Sequence, residues 1–244
     1  MKAFGPASCD SVAADQSADK AAHSKELLLI SAAYFTLYDF LLTQMNFFDY
    51  FQLAIIALFL LIIVVKTFYL RRRKINPIVI GGGKRGLLLI IEILAFAVLI
   101  AWMVEIVLYA VHSSFRIFPA PLDSSLINSL LTKVVGVILI TIGLILFLIA
   151  YVSFGDSWRV GFDVKTPGAL VTKGVFSITR NPIYLFLDLW FVGAFLINGT
   201  LVFLIMAILA IGVQHWQILQ EEAFLTNLYG QPYRDYCVRT RRYF

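Results

Sequence analysis

Long apolar runs alternate with short polar loops along this chain, and the runs have the length of a membrane crossing. A helix needs about 20 apolar residues to cross the hydrocarbon core of a bilayer. Tyr50–Leu70, Gly86–Val111 and Val134–Phe154 meet that length and predict three spanning helices. Lys66 lies close enough to the end of the first for its head to snorkel to the interface. The second carries Glu92 and Glu105, and the third carries no charge. Leu27–Met45 is nearly as apolar but contains Asp39, which leaves open a fourth span or an amphipathic helix lying in the interface. We take it as a span. Residues 1–25 are small and polar, with no basic start, apolar stretch and cleavage site in succession, and read as a disordered tail rather than a signal peptide.

Pro182–Gln220 is apolar throughout except at Asn198-Gly199. Its first arm, Ile183–Ile197, makes a helix of about 22 Å, short for a hydrocarbon core of about 30 Å. The second arm, Thr200–Leu219, is longer. The pattern predicts a helical hairpin that enters and leaves on one side.

Composition supports this reading and excludes others. Hydrophobic residues make up 60% of the chain and charged residues 14%, against about 45–50% and about 25% in soluble domains. A soluble domain, a disordered chain and a nucleic-acid-binding protein are all excluded as expectations. Cys9 and Cys237 are too few for a disulfide framework or a structural zinc site. His23, His112 and His215 are too scattered for a metal cluster, so no metal is expected.

The net charge of +5 matters mainly through its placement. Arg71–Lys74 with Lys84 and Arg85, then Arg159, Lys165, Lys173 and Arg180, then Arg234, Arg239, Arg241 and Arg242 form three basic groups. The loop 112–133 has only Arg116 and Lys133. The positive-inside rule puts the three groups in the cytosol. The fold class expected is therefore all-α: a polytopic integral membrane protein of about five to six transmembrane helices, including the C-terminal hairpin. It lies in a bacterial inner membrane or, in a eukaryote, the endoplasmic reticulum. The chain divides into three regions: the tail 1–25, helices within 26–154, and a core 155–244 containing hairpin 182–220 and a cytosolic C-terminal segment.

Both ends of the hairpin carry polar chemistry. Asn181-Pro182 reads as a helix start, with Asn as N-cap and Pro at the first helical position. The free N–H groups of that turn, with Arg180 beside them, suit a carboxylate or phosphate, and Tyr184 lies in the same turn. A simple cap is the other reading. Glu221-Glu222 is read as the end of the second arm, opposing the helix dipole and returning near Arg180. Ionisable groups at membrane depth are functional candidates: Glu92, Glu105 with Trp102 one turn before it, and Asp188, which either joins the site or bonds Tyr184. His215, about two turns before Glu222, is a candidate general base or a packed histidine. Gly81–Gly86 satisfies G-x-G-x-x-G but lacks the βαβ setting of a dinucleotide site; it reads as a flexible basic loop. Tyr229–Arg239 mixes aromatic and basic residues, as an interface anchor or as a lid.

Leu170-Val171-Thr172-Lys173-Gly174-Val175-Phe176, Arg180-Asn181-Pro182-Ile183-Tyr184, Glu221-Glu222, and Gly230 with Tyr233 and Tyr236 resemble the isoprenylcysteine carboxyl methyltransferase and phospholipid methyltransferase superfamily. The resemblance covers about residues 150–242. It implies S-adenosylmethionine held without a Rossmann domain, in a cytosolic pocket roofed by two segments. Carried over by position, Gly168, Ala169, Leu170, Val171, Phe176, Asn181, Pro182, Tyr184 and Glu221 hold the cofactor. Glu222, Arg180 and His215 are the catalytic candidates, and Gln217 and Arg239 face the substrate. The chain departs from the family where Asn181 replaces a frequent His and Phe176 a frequent Tyr. Gln217 stands where the carboxyl methyltransferases have a substrate arginine, which argues against a prenylcysteine carboxylate. The expected partners are the bilayer and a lipophilic or prenylated acceptor bearing a carboxylate, amine or thiol. A sterol-type membrane reductase using NADPH shares the Arg-X-Pro-X-Tyr motif and is the alternative; a non-enzymatic scaffold or transporter is the third reading.

Overall fold

A computed structural model describes residues 45–77, 86–158 and 169–243, with His23, Lys25 and Leu27 as isolated helical positions before them. The tail except His23 and Lys25, all but the ends of Leu27–Met45, the glycine loop 81–85 and Gly168 lie outside the described residues. Met1–Met45 and Asn46–Phe244 are separate compact units.

The second unit contains helices α1 (Phe47–Arg72), α2 (Leu87–Ala110), α3 (Leu130–Phe154), α4 (Pro182–Asn198), α5 (Leu201–Tyr229) and α6 (Gln231–Arg239). Helices α1, α2, α3 and α5 are long and apolar enough to cross a membrane, and α4 is a shorter apolar helix. The chain is an all-α polytopic membrane protein. Large apolar side chains such as Leu61, Val64, Ile93, Ile100, Ile138 and Ile145 are exposed on the outside of the bundle, as a surface facing lipid requires.

Local chemistry sets several helix ends. Asn46 and Asp49 form a reciprocal capping box at the start of α1: Asn46 Oδ1 accepts from Phe48 N–H at 2.8 Å, and Asp49 Oδ2 accepts from Asn46 N–H at 2.9 Å. Arg71 and Arg72 occupy the last turn, where cations complement the dipole. Helix α5 differs from the sequence expectation. It does not stop at Glu221-Glu222 but runs on to Tyr229 and ends at Gly230. Phe224, Leu225 and Leu228 continue the apolar periodicity, and Thr226 Oγ1 donates back to the Glu222 carbonyl at 2.7 Å. The acidic doublet thus sits about two turns inside the helix, clear of the unfavourable end of the dipole.

Helices α3 and α4 pack closest. A Cβ on Gly136 would lie 2.6 Å from the Gly193 carbonyl oxygen, and one on Gly193 would lie 2.5 Å from Ile140 Cγ1. Small residues at a membrane helix crossing permit this backbone approach. An aromatic core fills the space between the helices: Trp102 stacks on Phe191 at 3.9 Å, and Phe59, Phe147, Phe186 and Trp190 pack edge-on or tilted around them.

The tip of the α4–α5 hairpin is locked at the end of the bundle remote from Arg180. Asn198 Nδ2 donates to Gln52 Oε1 at 2.7 Å, and Leu126 N–H donates to the Gly199 carbonyl at 2.7 Å. Gly199 adopts φ +69°, and a Cβ there would run into the Ile127 carbonyl, so the turn requires glycine. Tyr109 donates to Asp123 nearby. Glu105, suspected from its depth, is buried and accepts the Ile117 N–H at 2.9 Å, which gives it a structural partner in the loop after α2. Lys66 departs from the snorkelling expectation. It is buried, its ammonium directed at the Tyr151 carbonyl (3.5 Å) and over the Tyr151 ring (4.3 Å), because α3 supplies polar partners before solvent is reached.

Candidate functional site

The opposite end of the bundle gathers the residues singled out in the sequence. The chain turns through Gly174–Ser177 into Asn181 and α4, and α5 returns to the same end and hands over to α6. Beyond α6 the tail lies across the start of α4. Thr179 and Arg241 form an isolated parallel bridge, Arg180 N–H donates to the Arg241 carbonyl at 3.0 Å, and the Arg242 carbonyl accepts from both Thr179 Oγ1 and Asn181 Nδ2 at 3.1 Å. Asn181 therefore departs from the capping expectation. It is the N-cap by position, but its side chain makes no cap hydrogen bond and is engaged by the tail instead. Thr179 Oγ1 accepts the Asn181 N–H, at 3.3 Å.

Arg180 and Glu222 meet in the middle of this arrangement. Arg180 donates to Glu222 Oε1 from Nε at 3.2 Å and from Nη2 at 2.8 Å. Its Nη1 donates to the carbonyls of Cys237 (3.0 Å) and Thr240 (2.8 Å). Arg242 approaches the same carboxylate from the tail, with Nε on Oε1 at 3.1 Å and Nη2 on Oε2 at 2.7 Å. One carboxylate thus takes four charge-assisted hydrogen bonds. The Arg180 and Glu222 side chains are only 11% and 14% exposed. The guanidinium expected to receive an anion is already paired, and its role here is to hold α4, α5, α6 and the tail together. The hydrogen bond to Glu222 raises the Arg242 pKa still further, so this guanidinium stays charged at all ordinary pH.

Beside the clamp lies an aromatic floor. Val175, Phe176, Tyr233 and Tyr236 are buried together, with Leu170, Val171, Ile183 and Leu225 around them. Tyr236 donates to the Phe176 carbonyl at 2.6 Å. Burial pushes its hydroxyl up to about 12, so it remains a neutral donor at neutral pH. Burial also pushes the Tyr233 hydroxyl well up. Phe176 packs edge-on against Phe154 at 4.7 Å.

Tyr184 marks the boundary between this end and the apolar hairpin. Glu221 and Glu92 of α2 both lie close enough to its hydroxyl to act on it electrostatically. Glu92 is buried. Asp188 Oδ1 has no hydrogen-bond partner among the described residues. His215 Nδ1 and the Tyr243 hydroxyl are hydrogen-bonded at 2.7 Å with their rings stacked, and Asp188 acts electrostatically on Tyr243.

Of the expected cofactor residues, Leu170, Val171, Phe176, Asn181, Pro182, Tyr184 and Glu221 all lie at this end, while Ala169 is exposed at the start of the described segment. Gln217 is half-buried on α5. Arg239 is exposed and bonds the Asp235 carbonyl within its own helix, at 3.2 Å. Sequence reasoning missed Thr179, Arg242 and Tyr243 as members of the cluster. Arg242 was counted only as a basic residue, and nothing in its spacing pairs it with a glutamate twenty positions earlier.

The segment holding most of these residues is also the one that a known family matches. Residues 131–232 match the phospholipid methyltransferase family. That family belongs to the integral membrane methyltransferase superfamily. No curated protein matches the chain. The matched segment begins at the start of α3 and ends in the first turn of α6, so the phospholipid methyltransferase match contains the whole α4–α5 hairpin, Arg180, Glu221 and Glu222. Together with the membrane helices it supports a membrane methyltransferase in general.

Proposed function

We propose that this chain transfers a methyl group from S-adenosylmethionine to a lipophilic acceptor at the boundary between membrane and cytosol. The observation that carries the reading is the Arg180–Glu222–Arg242 clamp. It gathers the family-matched hairpin and the C-terminal tail at one end, beside Tyr184 and Glu221.

The residues present suit an S-adenosyl group. The donor is cationic at sulfur, and two carboxylates, Glu221 and Glu92, converge electrostatically on Tyr184. The adenine needs an apolar, aromatic surface, which Leu170, Val171 and Phe176 supply. When bound, the cofactor supplies an already activated sulfonium methyl, so the protein's task is alignment and exclusion of water. Glu221 and Tyr184 hold polar atoms of the donor. Asn181 and Arg180 act as positioning residues, fixing the tail over the first turn of α4. The His215–Tyr243 pair closes the lower edge of the tail against α5. The basic residues Arg71–Lys74, Arg180 and Arg239–Arg242 share this end of the bundle, which supports a cytosolic orientation.

Calorimetric titration of the protein in detergent with S-adenosylmethionine and with NADPH tests the proposal. S-adenosylmethionine binds and NADPH does not, and Glu221→Ala lowers the S-adenosylmethionine affinity at least tenfold while the protein still inserts. Binding of NADPH alone would replace this reading with the reductase. Unchanged affinity in Glu221→Ala would remove Glu221 from the pocket.

A further inference from the structure

A second polar cluster lies between α1 and the end of α3, and it is built mostly of hydrogen-bond donors. Lys66 is 6% exposed; its ammonium donates to the Tyr151 carbonyl at 3.5 Å and lies 4.3 Å from the centroid of the Tyr151 ring. Lys66, Tyr69 and Arg73 are spaced three and four residues apart, which sets them on one face of α1. Tyr69 joins the other two: Lys66 Nζ is 5.9 Å and the Arg73 guanidinium carbon 5.2 Å from the centroid of its ring. Arg73 in turn pairs with Asp156, just beyond α3. Direct contacts therefore run unbroken from Tyr151 through Lys66, Tyr69 and Arg73 to Asp156.

The charge of this cluster is not balanced. Lys66 makes no ion pair among the described residues, although a buried ammonium carries a desolvation cost of several kcal/mol. One carbonyl and two ring faces leave Nζ with N–H donors to spare. Neither the Tyr69 nor the Tyr151 hydroxyl makes a hydrogen bond among the described residues. The carboxylate of the cluster, Asp156, meets Arg73 in a pair whose side chains are 53% and 46% exposed, and an ion pair so open to water is weak. Around the rim Arg71, Arg72 and Lys74 are exposed and make no ion pair among the described residues. Arg72 rests on the Phe68 ring at 4.3 Å.

We propose that this cluster binds the phosphate of an anionic phospholipid in the leaflet at the basic end of the bundle. It rests on the membrane fold and not on methyl transfer. Lys66 stands six residues before the end of α1, about 9 Å by helical rise, and Tyr151 three residues before the end of α3. That places the cluster at the edge of the hydrocarbon core, where the phosphates of the leaflet lie. A phosphodiester accepts hydrogen bonds and carries negative charge, which matches an ammonium, a guanidinium and two hydroxyls. The flexible four-carbon stem of Lys66 lets its head reach from the Tyr151 ring to a phosphate beside Tyr69, which is 45% exposed. A soluble phosphate offers the same oxygens. The lipid is favoured because exposed Val65 and Phe68 lie beside the cluster on α1, where acyl chains cover them. The rim then selects among lipids. A head with its own ammonium brings a positive charge against Arg71, Arg72 and Lys74, whereas a glycerol head brings none.

The test is native mass spectrometry of the full-length protein in detergent. Phosphatidylglycerol and phosphatidylcholine of the same acyl chains compete for it, and inorganic phosphate is the soluble probe. The protein retains phosphatidylglycerol over phosphatidylcholine by about tenfold or more. Neutralising one basic side chain near an anionic lipid weakens binding about fivefold. Lys66→Met therefore lowers phosphatidylglycerol affinity by about that factor, and the triple variant Arg71→Gln, Arg72→Gln, Lys74→Gln lowers it further. Both leave phosphatidylcholine binding unchanged. The triple variant alters only exposed side chains, so it keeps the proposal testable if Lys66→Met fails to fold. A lysine that served only as a strut between α1 and α3 would lower the melting temperature of Lys66→Met and leave the lipid preference as it was; that result would overturn the site. Equal retention of the two lipids, or an unchanged preference in the triple variant, would overturn it as well. Release of bound phosphatidylglycerol by millimolar inorganic phosphate would reassign the cluster to a soluble anion.

Discussion

Replacing Glu222 with Gln keeps the shape of the side chain and removes its charge, and so isolates what the carboxylate does for the tail. Four hydrogen bonds from two guanidiniums converge on it. A hydrogen bond to a charged group is worth about 1.5–3 kcal/mol, and such bonds do not add when they share one atom set. Gln retains one acceptor oxygen, so one guanidinium keeps a partner. Arg180 also keeps the carbonyls of Cys237 and Thr240. The Arg242 side chain is 34% exposed, and its half of the clamp is discounted for solvent. The net loss is about 2 kcal/mol, which corresponds to a roughly 30-fold increase in the opening of the tail. The opening is local, because the apolar core of the bundle lies elsewhere. Hydrogen exchange is the assay. The Arg180 amide, which donates to the Arg241 carbonyl, and the Thr240 amide, which donates to the Tyr236 carbonyl, exchange about 30-fold faster in Glu222→Gln, while amides in the middle of α1 and α3 are unchanged. Arg242→Ala produces a smaller effect, and the double variant falls short of the sum. Unchanged protection at Arg180, or a loss spread evenly over all helices, would refute the clamp.

Packing gives two further outcomes. Gly193→Ala places a Cβ 2.5 Å from Ile140 Cγ1 and 2.8 Å from the Gly136 carbonyl oxygen; forcing α3 and α4 apart costs about 1–3 kcal/mol, seen as a lower melting temperature in detergent. Tyr236→Phe removes the 2.6 Å bond to the Phe176 carbonyl and leaves that oxygen unpaired; it costs about 1–3 kcal/mol and increases proteolysis near residues 230–243, whereas Tyr229→Phe, on a half-buried neighbour, changes proteolysis less.

The spanning helices were legible in the chain because a bilayer demands one simple property, an unbroken apolar run of fixed length. Tyr50–Leu70 lies inside α1 and Val134–Phe154 inside α3, each extended by a few residues. The extensions come from caps such as Asn46 and Ser129, whose hydrogen bonds lie just outside the apolar run. The hairpin was legible for the same reason, with Asn198-Gly199 as its break. What misled was charge. Glu221-Glu222 looked like a helix end, because adjacent carboxylates suit solvent. Helix α5 instead carries them onward, since Glu222 is neutralised by arginines from two other segments. Lys66 looked like a snorkelling cation, yet α3 brings a carbonyl and a ring to it. In each case the polar group is held by a partner distant in sequence, and a local pattern does not register such a partner.

The same reasoning separates two kinds of buried polar residue in this chain. Glu105, Asn198, Gln52, Arg180 and Glu222 are partnered, and their partners account for their presence inside. Asp188 and Gln214 carry buried atoms with none among the described residues. An unpaired amide at membrane depth carries a penalty that Leu would not, and no partner among the described residues offsets it for Gln214.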